Sequence, residues 1–309
     1  MKAGLSRSDV ELMRHVISDE PLRVSELNRR AKLNRKTVSI ELGVLSELGF
    51  LVSEKKGQAK YFRLSDTKHA RLLRNMIAHS PQLRYEDLLA GKSLDVLSAI
   101  HLLRLDSIKG IEEFSQTSHV KVIELLGRYK ELGAVRKSQG GYGLGARYRM
   151  LGDFLAEFRS YTNLKIIRNQ VPDAVVVWER DRDVLFRSSE GTAKSSQPSA
   201  FSAFPRFGVD VFVGDTDYYF YSSRHVEIGV EEALVHAMLA AEGPRERTLI
   251  LILLLKGRIN EERLLSLSRV YGAEETARDY LEYARTKGGH RPEGFPEWGE
   301  LTRRLREYA

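Results

Sequence analysis

Apolar residues return every three or four positions along residues 8–20, "SDVELMRHVISDE", where Val10, Met13, Val16 and Ile17 share one stripe. The spacing predicts a helix with Ser8 as its cap, Glu11 as the partner in a capping box and Pro21 as its stop. "RVSELNRRAKL" predicts a shorter helix with Val24, Leu27 and Ala31 inward. A third helix follows from about Arg35 to Leu48, with Val38, Leu42, Leu45 and Leu48 inward. Asn34 stands where its N-cap belongs, and Gly49 where a left-handed residue would end it. The period then falls to two. "FLVSEK" and "AKYFRLS" predict two strands turning at Lys56-Gly57.

The pattern returns 84 residues later. Val38, Leu42, Gly43, Glu47, Leu48 and Gly49 fall on Val122, Leu126, Gly127, Glu131, Leu132 and Gly133. Val24 and Leu27 fall on Ile108 and Ile111, and Met13 and Val16 on Leu97 and Ile100. With a three-residue insertion, "KYFRL" (60–64) falls on "RYRML" (147–151), which predicts a second hairpin there. Between the repeats lies a helical connector with Lys68, Arg71 and Arg74. A repeat of this length implies two copies of one supersecondary unit.

Beyond residue 152 the pattern changes. Residues 153–169 predict a helix, "AVVVWER" and "DVLFRSS" a hairpin around "DRD", and 189–208 an exposed loop rich in Ser, Ala, Gly and Pro. "VDVFVG" and "DYYFYSS" predict a second hairpin, in which "YYFY" (218–221) packs one face. Helices follow in "VEEALVHAMLAAE", "RERTLILILLLKG", "NEERLLSLSRVYG", "AEETARDYLEYART" and "EWGELTRRLREYA". The longest apolar run, Leu249 to Leu255, is too short for a bilayer and predicts a buried helix.

Charge sharpens this division. The net charge is +7, yet residues 1–150 hold 27 Lys+Arg against 17 Asp+Glu, and residues 151–309 hold 22 against 25. The whole positive excess lies in the first half, as expected of a polyanion-binding part joined to something else. There is no cysteine, which excludes disulfides and thiolate metal sites and fits a reducing, cytoplasmic setting. The N-terminus has no apolar stretch that would predict a signal peptide.

Three short helices and a hairpin within about 60 residues resemble the winged helix-turn-helix domain of bacterial and archaeal regulators. "VSELNRRAKLNRKTVSIELGVLSELGFL" carries the resemblance, and the repeat makes the chain similar to a tandem winged-helix protein. The resemblance implies recognition helices at 35–48 and 118–132 that enter the major groove of double-stranded DNA. In the first unit Arg35, Lys36, Thr37, Ser39 and Asn34 would reach bases or phosphates. Lys55, Lys56 and Lys60 on the wing, with Arg29, Arg30 and Lys32, would lie along the backbone. In the second unit the candidates are Ser118, His119, Lys121 and Arg128 on the helix and Arg136, Lys137 and Arg147 on the wing. Glu124 would repel a phosphate there. No aromatic platform for RNA bases is evident.

The C-terminal half faintly resembles the degenerate nucleotidyltransferase-like domain of winged-helix antitoxins, through element order with "VEEALVHAML" and "NEERLLSLSRVYG". A working nucleotidyltransferase needs a Gly-Ser turn and paired strand carboxylates for Mg²⁺. Asp210 is single, Asp215 and Asp217 fall in a turn, and "RSSEGT" is a poor Gly-Ser match; His225 and His236 lack partners at metal-ligand spacing. No enzyme activity, metal or cofactor is expected.

The expected fold class is α+β: winged helices at 1–66 and 93–152, a helical connector at 67–92, and an α+β domain at 153–309 with a small antiparallel sheet and a helical array. The expected function is sequence-specific transcriptional regulation, with a protein partner or small-molecule effector at the C-terminal domain, no membrane association, and a monomer or homodimer in solution. The rivals are a nucleotidyltransferase targeted by winged helices and an antitoxin-type interaction scaffold.

Overall fold

Ser6, not Ser8, starts the first helix. Its Oγ accepts from the Asp9 amide at 3.0 Å, and the Asp9 carboxylate accepts from the Ser6 amide at 2.7 Å. The capping box thus sits two residues earlier than the pattern predicts, because the first turn must bring Val10 and Met13 to the core, where both are fully buried. The computed structural model describes residues 4–17, 20–105, 107–138, 141–211, 215–224 and 226–307, and the chain divides into two units, Met1–Thr162 and Asn163–Ala309. The fold class is α+β.

In the first unit α1 (Arg7–Val16), a two-residue strand β1 (Leu22–Arg23), α2 (Val24–Ala31) and α3 (Arg35–Glu47) precede the hairpin of β2 (Leu51–Lys56) and β3 (Ala59–Leu64). Val38, Leu42, Leu45 and Leu48 are buried as the heptad-like spacing requires. Gly49, at φ +76°, ends α3. β3 pairs with β2 on one side and β1 on the other, with Leu22 opposite Phe62. The hairpin turns at Gly57 and Gln58, since Lys56 pairs with Ala59.

The connector is helical, as α4 (Lys68–His79) and α5 (Tyr85–Leu89). Then the same course returns: α6 (Lys92–Leu102), α7 (Ile108–Ser115), α8 (His119–Glu131), and the strands β4 (Val135–Ser138) and β5 (Gly141–Leu144). Even the unusual dihedrals repeat at the 84-residue offset. Lys32 and Gln116 end α2 and α7 at φ +52° and +51°, and Gly49 and Gly133 end α3 and α8 at +76° and +64°.

The second hairpin corrects the predicted alignment. Leu51 pairs with Leu64, whereas Val135 pairs with Leu144, so the second hairpin is shorter, not longer. "RYRML" is no strand. It forms a 3-10 turn (Ala146–Tyr148) and the start of α9 (Arg149–Arg168), because Tyr148, Leu151, Phe154, Leu155 and Phe158 bury at helical spacing. One continuous core holds α1 to α8, both hairpins and the first part of α9, so the two repeats fold as one body. The expected boundary at 152/153 lies inside α9.

The second unit holds a four-stranded antiparallel sheet in the order β6-β7-β9-β8, formed by β6 (Val175–Arg180), β7 (Asp183–Ser188), β8 (Ser196–Pro198) and β9 (Asp217–Ser222). The predicted loop 189–208 is mostly ordered against the core. Ser196–Pro198 pairs with β9, and a 3-10 helix at Ala200–Phe207 buries Phe201 and Phe204. Val209, Asp210 and Val211 lie outside any strand, with Val209 buried in the core, and residues 212–214 lie outside the described residues; β9 takes β7 and β8 as its partners. The "YYFY" run packs both faces: Tyr218 and Phe220 belong to the helical core, and Tyr219 and Tyr221 pack on the opposite cluster with Phe186. The helices are α10 (Val230–Ala240), α11 (Pro244–Lys256), α12 (Glu261–Tyr271), α13 (Glu274–Arg285) and α14 (Trp298–Glu307). Ile250 to Leu253 are essentially fully buried in α11. Among the described residues no helix is long and apolar enough to cross a membrane.

Candidate nucleic-acid interface

The turn between α2 and α3 is built to present the start of α3. Asn28 donates its side-chain amide to the Leu33 carbonyl, Lys32 takes the left-handed turn, and Asn34 Oδ1 accepts from the Thr37 amide at 2.8 Å. Asn34 therefore spends its oxygen on the helix cap, and Thr37 is half-buried beside it. Arg35, Lys36 and Ser39 are exposed on the first turns of α3, with no acidic residue in the first turn to oppose the positive end of the helix dipole. Arg29 and Arg30 end α2, exposed. Among the described residues Arg29, Arg30, Lys32, Arg35, Lys36 and Lys55 make no ion pair.

The hairpin adds charge in two ways. Lys55 and Lys60 stand directly opposite each other, both exposed, and Lys60 lies 5.1 Å over the Phe62 ring. Like charges facing across two strands repel, so this pair favours an anion between or above them. On the other face Lys56 pairs with Glu54 at 2.8 Å, which raises its pKa, and sits 5.7 Å over Tyr61. Arg23 stacks on the same ring at 4.9 Å and bonds its hydroxyl through Nε at 2.7 Å. Arg23 and Tyr61 were not legible as site residues in the sequence, because only the two-residue strand β1 brings them together.

The repeat in the second half of this unit carries different chemistry. Ser118 is the exposed N-cap of α8 without a side-chain cap bond. His119 is paired with Glu112. Lys121 and Arg128 both grip Glu124, at 2.8 and 2.9 Å, and the Lys121 hydrogen bond holds the Glu124 carboxyl below the usual range. At the 84-residue offset Lys36 becomes Val120, 77% exposed, and Ser39 becomes Ile123, 48% exposed. Arg136 and Lys137 are exposed on β4. Arg147 is not on the hairpin; it lies 5.0 Å over Tyr148 and bonds the Leu132 carbonyl, so it caps the end of α8.

In the second unit the "RSSEGT" turn is already occupied. Asp173 accepts from the Ser188 hydroxyl at 2.7 Å and from the Ser189 and Glu190 amides at 2.8 and 3.3 Å, which holds its pKa low. Those are the donors a phosphate would need. Asp217 accepts from Ser202 Oγ at 2.9 Å, and Asp210 and Asp215 are exposed. His236 is fully buried, bonded to Ser199 at 2.7 Å and stacked on Phe220 at 4.2 Å; burial depresses its pKa to about 3. His225 lies outside the described residues. No cluster of three metal-ligating side chains occurs among the described residues.

Residues 193–309 match the model of the HVO_2833_C family, described as a C-terminal domain. The match begins just before β8 and covers the helical array. No curated protein matches the chain.

Proposed function

We propose that the chain is a cytoplasmic, double-stranded-DNA-binding transcriptional regulator whose first helical unit is a winged helix. In this reading α3 enters the major groove, with Arg35, Lys36 and Ser39 at base edges, and the β2–β3 hairpin lies along the backbone. The carrying observation is the set of unpaired, exposed cations on α2, the turn, the start of α3 and the hairpin tip. A solvated surface usually compensates its charges with nearby carboxylates, as α8 does; this face does not. The C-terminal unit would then serve a partner or effector, and the chain would work as a monomer or homodimer.

The test is fluorescence anisotropy on a labelled duplex from the protein's own promoter, titrated over a salt series with random competitor. Tight binding that resists competitor and falls steeply with salt is expected. Arg35→Ala should weaken the preferred site by about tenfold or more, equivalent to about 1–3 kcal/mol, and random DNA less. Lys55→Ala should weaken both alike and reduce the salt slope by about one. If both variants bind like the wild type, α3 and its hairpin are not the reading surface.

A further inference from the structure

The second repeat keeps the backbone of the first and discards its surface. A groove of about 690 Å³ opens between α7, α8 and the β4–β5 hairpin. Ile123, Leu126, Val135 and Tyr142 line its apolar part. Lys130, Arg136 and Lys137 stand on its rim, and no acidic residue lines it. Lys130 and Arg136 make no ion pair among the described residues, and Lys137 rests its ammonium 5.7 Å from the Tyr142 ring centre. Isoleucine at 123 stands where the first repeat has Ser39, so water-exposed apolar surface meets uncompensated positive charge at one place.

We infer that this groove is a binding site for a small amphipathic carboxylate, an alkyl chain or ring system carrying one carboxylate. The apolar body covers exposed Ile123, which is costly to leave in water, and rests on half-buried Leu126 and the groove floor at Val135. The carboxylate lies at Arg136 and Lys137, where a guanidinium can bind it through two parallel hydrogen bonds. The volume falls within the range of small-molecule sites, roughly 300–1,000 Å³, and such sites combine an apolar lining with a few polar groups in this way. A nucleic acid fits worse, since its phosphates would meet Val120, Ile123 and Glu124. The inference does not depend on DNA binding by the first repeat.

The test uses 1-anilinonaphthalene-8-sulfonate, an apolar ring system with one anionic group, as the fluorescent probe on the full-length protein, and decanoate as the competitor. One saturable site is expected, with decanoate displacing the probe. Ile123→Glu, at an exposed position that folding tolerates, should weaken probe binding at least tenfold, and Arg136→Glu with Lys137→Glu should do the same. Ile40→Glu, on the exposed face of α3, should leave it unchanged, with circular dichroism confirming that all variants are folded. Equal binding by Ile123→Glu, or failure of decanoate to compete, overturns the proposal. Displacement by an acidic amphipathic peptide but not by decanoate also overturns it, because the occupant would then be a protein segment.

Discussion

Gly49 shows how much one residue can decide. It stands at φ +76°, where an L side chain is strained, and a Cβ there would overlap the Tyr161 ring. Tyr161 cannot easily yield, since its ring packs on His69, itself wedged against Phe50 and Phe158. Gly49→Ala is therefore expected to destabilise the protein by about 2–4 kcal/mol, combining left-handed strain with overpacking. Gly43, inside α3 with open space around it, is the internal control: Gly43→Ala should stabilise by about 0.5–1 kcal/mol. Urea denaturation of the two variants measures both. Similar midpoints would show that the turn after α3 is not held as tightly as its dihedral and its neighbour require.

At the level of elements, the joint between α6 and α9 carries a charge inside the core. Arg159 is only 2% exposed; it bonds Asp95 at 2.7 Å and Ser98 at 3.2 Å. Removing one partner of a buried pair leaves the other charge desolvated, so Asp95→Ala should cost about 3–5 kcal/mol. Asp95→Leu with Arg159→Met should recover most of that loss, because an apolar pair removes the desolvation penalty along with the attraction. Both tryptophans, Trp178 and Trp298, lie in the second unit, so far-UV circular dichroism must accompany tryptophan fluorescence in this measurement. Equal stability of the single and double variants would mean that water reaches Arg159. The second hairpin differs from the sequence expectation at this same level of structure. Alternation alone could not tell "RYRML" as a strand from the first turn of α9, and the helix won because its apolar positions continue at helical spacing into Phe154 and Phe158.

Across the whole molecule, two of the described histidines are deeply buried and neutral, His69 in the first unit and His236 in the second. His69 donates Nε2–H to the Leu48 carbonyl at 3.0 Å, and burial lowers its pKa to about 4; His236, in the other unit, is lowered to about 3. Well above pH 6.5 both are uncharged whether folded or not, and they cost little. Below the unfolded value of about 6.5 the unfolded chain takes up protons that the folded chain refuses, so stability falls as pH drops from about 6.5 toward 4 and 3. Each histidine contributes up to about 1.4 kcal/mol per pH unit within its window. Chemical denaturation at pH 7, 6, 5 and 4 measures the slope. His69→Gln should remove His69's own part of the slope, while His15 and His101, also lowered by burial, keep theirs; an unchanged slope would show that His69 carries none of it.

The sequence determined whatever repeats locally. Inward positions at helical or strand spacing located most helices and strands, and the 84-residue offset alone implied two copies of one unit. The cap at Asn34 and the stops at Gly49 and Gly133 followed from local backbone chemistry, which needs few neighbours. Tertiary structure decided what depends on distant partners. It joined the repeats in one core, drew residues 196–207 against the sheet and helices through Phe201 and Phe204, and placed Arg23 over Tyr61. The difference in charge between the two surfaces, by contrast, was local: Glu124 takes up Lys121 and Arg128 at i,i+3 and i,i+4 spacing on one helix, whereas α3 has no carboxylate at those spacings from Arg35 or Lys36. Groove shape and contacts such as Arg23 on Tyr61 arise from side chains far apart in the chain, and a one-dimensional pattern holds no distance between them.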